Sequence, residues 1–132
     1  MTPLIFAMAA ASLGLASATQ DAPGGVLLGV WGGDRLVATF AADGAKIRQD
    51  CAEGGIPAPV RLDPERRFEV AGVYEPSRPG PQMESPNGPP AATFSGRIVG
   101  STLRLTIHPA AGAPERSYVL ERDQRPRLVR CY

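Results

Sequence analysis

Lysine and histidine are almost missing from this chain. Lys46 is the only lysine and His108 the only histidine among 132 residues. The other basic residues are all arginine, and 14 basic side chains face 13 acidic ones for a formal net charge of +1. That balance excludes the usual nucleic-acid binder, which gathers a basic surplus on one face. It also excludes a polybasic membrane-surface protein. Cysteine is limited to Cys51 and Cys131, and Trp31 is the only tryptophan. Two thiols and one distant imidazole fall short of a metal-ligand set, so no metal or other cofactor is expected. No G-x-S-x-G occurs, and Ser95 or Ser117 with His108 as the one available base does not define a hydrolase. Asp34, Asp50 and Glu53 read as solvated charges. Gly24-Gly25 and Gly32-Gly33 lack the strand–helix setting of a phosphate loop. The chain reads as non-enzymatic.

Charge is also absent from residues 1–18. The apolar run from Leu4 to Ala11 is too short to span a bilayer, which takes about 20 residues. Ala16-Ser17-Ala18 supplies the small-x-small pattern of a cleavage site. Residues 1–18 are therefore expected to be a signal peptide, and the protein to be exported, periplasmic or secreted, without a membrane anchor. No Lys or Arg follows Met1, which leaves a start further upstream open. Residues 19–25 read as a flexible lead and 26–132 as one domain, expected to be a monomer.

Outside the cytoplasm a lone pair of cysteines forms a disulfide most simply. A Cys51–Cys131 bond closes a loop of about 80 residues, worth roughly 4–5 kcal/mol by loop-closure entropy.

No window beyond residue 25 keeps a helical period, and alternation of apolar and polar residues dominates. Strands are expected at about 34–41, 44–51, 56–62, 67–74, 91–99, 102–108, 115–121 and 127–131. Asp43-Gly44 and Gly100-Ser101 are tight-turn signals. Between 76 and 90, six of fifteen residues are proline, so no ladder runs through this stretch and it reads as a long loop. Eight strands in consecutive hairpins predict an all-β fold, an eight-stranded antiparallel up-and-down barrel with one disulfide. A β-sandwich is the alternative. In the barrel, the ends of the second and last strands meet at one rim and bring Cys51 to Cys131. That rim also receives Trp31 and the connections 52–57, 75–90 and 109–114.

Gly29-Val30-Trp31, placed at the entry to the first strand, resembles the G-x-W signature of lipocalin-like (calycin-type) barrels. The resemblance implies a Trp that closes the barrel base and an Arg from the last strand packed over it, which by location is Arg130. It also implies a link from the C-terminal region back to an earlier strand. The tight Asp43-Gly44 turn departs from that family, whose first hairpin carries a large loop. The expected function is an exported module that binds a small apolar ligand or a protein at the long-loop rim. The expected binding residues are Trp31, Tyr74, Met83 and Arg130. The alternative is an exported inhibitor that inserts the 76–90 loop into its partner.

Overall fold

The computed structural model describes residues 25–76, 88–110 and 112–129. They form eight strands: β1 (Gly29–Gly33), β2 (Leu36–Ala41), β3 (Gly44–Gln49), β4 (Ala52–Ile56), β5 (Arg67–Pro76), β6 (Ala91–Val99), β7 (Thr102–Pro109) and β8 (Arg116–Arg122). Each pairs antiparallel with the next, and β1 pairs with β8. The sheet is a closed up-and-down barrel, and no helix occurs among the described residues.

Two strands form where the sequence expectation had none. β1 was expected to be a lead-in, yet Trp31 lies at its centre, opposite Ala38 on β2 and Arg122 on β8. β4 occupies 52–56 in place of the expected strand at 56–62. Its Gly54-Gly55 pair reads as loop, but Gly54 faces the core. A Cβ there would stand 3.3 Å from both Ile47 and the Phe94 ring.

Val60-Arg61-Leu62 alternates because it does bury one face, though outside the barrel sheet. The segment pairs with the N-terminal stretch through a Val26–Arg61 bridge. The Leu27 N–H donates to the Val60 carbonyl at 2.7 Å, and the Leu62 N–H to that of Gly25 at 3.2 Å. Leu27, Val60 and Leu62 are buried and plug the end where β1 begins.

Pro76 extends β5 past the end of β6. The Tyr74 N–H reaches the Pro90 carbonyl at 3.0 Å. Two residues on, the same edge has no ladder partner among the described residues, so the N–H that proline lacks breaks no described bond.

The seam between β1 and β8 holds only two register pairs, Trp31↔Arg122 and Gly32↔Glu121. Bonds outside the ladder extend it at both ends. The Val119 N–H donates to the Asp34 carboxylate at 2.7 Å, and the Asp123 N–H to the Val30 carbonyl at 2.7 Å. Asp123 adopts a left-handed φ of 59°, which turns the chain back across the outside of β1. There the strap passes so close that a Cβ on Gly32 would lie 2.1 Å from the Gln124 carbonyl oxygen. Residues 127–129 are thus a strap and not the expected last strand.

The interior is packed with side chains. Phe40 and Phe68 meet edge to face, with centroids 6.1 Å apart. The inward glycines make room for rings. A Cβ on Gly72 would come within 2.8 Å of Phe94, and one on Gly96 within 2.5 Å of Phe68. Trp31, Leu36, Phe94, Leu103, Leu105 and Leu120 complete a core with no measurable exposure.

Candidate functional site

Among the described residues, no segment plugs the opposite rim. It carries the turns 34–35 and 50–51, and β5 and β7 end there while β6 and β8 begin there. The expected connection 52–57 is absent from it, because those residues are largely strand β4. Asp34 and Arg35 are both left-handed, with φ of 49° and 61°, in a two-residue hairpin turn of the kind that matches strand twist.

Just inside this rim, Tyr74 from β5 and Tyr118 from β8 pack partly buried against the core. The Tyr74 hydroxyl donates to Oε1 of Gln49, the last residue of β3. Burial pushes the Tyr74 phenol from its ordinary 10.0 up to about 12. The neighbouring Tyr118 phenol adds to the shift, and the Arg116 guanidinium opposes it. The mouth therefore presents two phenols, an amide and a guanidinium over a closed apolar floor.

An ultraviolet difference titration should show Tyr74 ionising well after an ordinary phenol. The unfolded chain releases this proton first, so stability should fall as pH rises from about 10 to about 12. Tyr74→Phe should remove that part of the slope. An unchanged alkaline slope in Y74F would show that the phenol is not held in this way.

Beside the mouth, Asp50 acts as a clasp. Its carboxylate accepts from the Val129 backbone N–H and from Arg35. These two bonds, Val129 first, hold it below the usual carboxylate range. Asp34 and Asp50 stay at the solvated rim, as expected, and each also accepts a backbone N–H.

The outer wall holds two further features. Ser95 Oγ lies 3.3 Å from His108 Nε2, and His108 Nδ1 lies 2.7 Å from the Glu115 carboxylate. Separately, a groove of about 650 Å³ crosses β5–β7, lined by Arg61, Arg67, Arg97 and Arg104 among others. Among the described residues, no three His, Cys, Asp or Glu side chains group to hold a metal.

Of the residues singled out from sequence, Tyr74 lies at the mouth. Trp31 is wholly buried, so it offers a partner no surface. Met83, Arg130 and Cys131 lie outside the described residues, as do 1–24 and most of the 76–90 loop. The arginine over the indole is Arg122, at 4.8 Å from the ring centroid. It is the terminal residue of β8, a strand that ends on an arginine just as the expected strand 127–131 does. Gln49, Arg116 and Tyr118 had no separate signal, because only barrel closure brings β3, β5 and β8 to one mouth.

The fold and these sites define a small closed eight-stranded barrel, plugged at one end and polar at the other. No family model, curated protein or solved structure matches the chain.

Proposed function

We propose that this chain is an exported, non-enzymatic binding module of lipocalin-like build that engages a protein at its open rim. The observation that carries this reading is the filled interior. Phe94 and Phe68 occupy the space above Gly72 and Gly96, so an enclosed apolar ligand would have to displace core rings. Binding then falls to the mouth at Gln49, Tyr74, Arg116 and Tyr118 and to the turns beside it, where a rigid scaffold supports variable surface. An inhibitor using the 76–90 loop is the narrower form of the same reading.

The lipocalin-like reading is supported by Trp31 inside the first strand and Arg122 over its ring. The Cys51–Cys131 disulfide is supported by the clasp. Val129 bonds to Asp50, which leaves two residues to Cys131 and one to Cys51. Among the described residues no cysteine is free.

The non-enzymatic reading takes account of Ser95, His108 and Glu115. Ser95 sits within β6, directly opposite both Glu69 and Thr106. Its backbone belongs to the ladder and forms no converging N–H pair to hold an oxyanion. His108 is 41% exposed and Glu115 is 63% exposed, so water is not excluded from them.

Two measurements test the proposal. An apolar dye should neither bind saturably nor quench the fluorescence of Trp31, and saturable quenching would make the protein a carrier. A photo-crosslinker at position 118 should capture a protein from the exported fraction of the native cells, while one at position 42, on the plugged end, should not. Equal capture from both positions would place the interaction elsewhere.

A further inference from the structure

We propose that the outer face of β5–β7 is a binding site for a ligand carrying phosphate groups. The strand register sets Arg67 directly opposite Arg97 and Arg97 directly opposite Arg104. Neighbouring strands lie about 4.8 Å apart, so three guanidinium stems stand in one row about 10 Å long. Like charges directly opposite each other destabilise a sheet, and here two such pairs are consecutive.

Carboxylates relieve only one end of the row. Arg67 pairs with Asp63 at 3.7 Å and also with Glu65. Among the described residues, no carboxylate forms an ion pair with Arg97 or Arg104, and both side chains are exposed. Arg61, held in place by the plugging segment, faces the same groove of about 650 Å³. In a chain of net charge +1, four arginines against Asp63 and Glu69 on one groove leave a local positive surplus.

The adjoining row is Glu69, Ser95 and Thr106, one carboxylate and two hydroxyls. Ser95 lies opposite Thr106, and both line the groove. Planar guanidinium forks match the paired oxygens of a phosphate, and hydroxyls beside them donate to its remaining oxygens. A ligand with two phosphate groups fits a row that spans two strand spacings. A soluble polyphosphate and a phospholipid headgroup share this chemistry.

The test titrates the full exported chain with pyrophosphate, and separately with vesicles of phosphatidylcholine with and without phosphatidylglycerol. The variant is Arg97→Gln with Arg104→Gln. Both positions are exposed, so the variant should fold and its thermal midpoint should hold or rise as the repulsion is lifted. The control is Arg125→Gln with Arg127→Gln, which removes the same charge from the strap. We expect saturable pyrophosphate binding that weakens at least tenfold in the β6–β7 variant and is unchanged in the control. Vesicle binding that needs phosphatidylglycerol and is lost in the same variant would identify a lipid headgroup as the source. Equal weakening in both variants, or no binding to either probe that depends on Arg97 and Arg104, would overturn the proposal.

Discussion

Replacing Trp31 by alanine is expected to lower stability by about 3–5 kcal/mol, the range for truncating a fully buried large aromatic. Trp31 has no exposed surface and stands on the short seam strand that closes the barrel. Its neighbours across the two ladders are Ala38 and Arg122, and neither can fill the space an indole vacates. The Arg122 guanidinium, 4.8 Å from the ring centroid, would lose its aromatic face, a contact of about 0.5–2 kcal/mol in its own right. The indole N–H, by contrast, is buried without an acceptor among the described residues. Trp31→Phe keeps most of the apolar contact and discards that unpaired donor, so it should cost clearly less than the alanine change. Urea unfolding followed by far-ultraviolet circular dichroism measures both variants. A Trp31→Ala midpoint close to wild type would mean that β1 does not close the barrel as described.

Removing the proposed disulfide, by Cys51→Ser with Cys131→Ser, should cost roughly 2–5 kcal/mol. A small domain has about 5–15 kcal/mol in all, so the variant should sit near the margin of folding at growth temperature. The loss acts mainly through the unfolded chain, whose loop of about 80 residues is no longer closed. In the folded variant, Asp50 would still hold Val129. That residual clasp is sensitive to acid. The Asp50 carboxyl is depressed in the folded state, so its contribution is complete above the ordinary carboxyl value and disappears as pH falls through the depressed one. The double serine variant should therefore lose its strap at acid pH more readily than the wild type. A peptide map of the non-reduced exported protein should show the Cys51 and Cys131 peptides linked. Free thiols at both positions would refute the bond.

The alternating stretches at Leu36–Phe40, Phe68–Tyr74 and Leu103–Ile107 were legible because one face of each packs on the core while the other meets solvent. Gly100-Ser101 was legible because its tight turn takes a left-handed glycine, Gly100 at φ 62°, and Asp43-Gly44 because short polar and glycine residues favour hairpin turns. These local facts determine an all-β chain of consecutive hairpins, and eight strands of this kind close without an edge. The glycine-bearing strands were not legible. Gly-Val-Trp-Gly-Gly and Ala-Glu-Gly-Gly-Ile carry no alternation, because their small positions answer to close contacts with other segments. Gly54 yields to Phe94 and Ile47, and Gly32 yields to the strap at Gln124 and Pro126.

The candidate sites follow the same division. Tyr74 could be placed on an inward face from periodicity alone. Its partners Gln49 and Tyr118 come from strands far away in sequence, and the rim that joins them exists only after closure. The row Arg67, Arg97 and Arg104 depends on register, and a slip of one residue would turn every one of these side chains to the other face. By itself, then, the sequence determined the strand content, the tight turns and a core large enough for one domain, because periodicity and turn chemistry act over a few residues. Only the tertiary structure decided which strand closes the seam, which arginine covers Trp31, what fills the interior and which charges share a groove. Those outcomes depend on contacts between segments whose spacing along the chain says nothing of their distance in space.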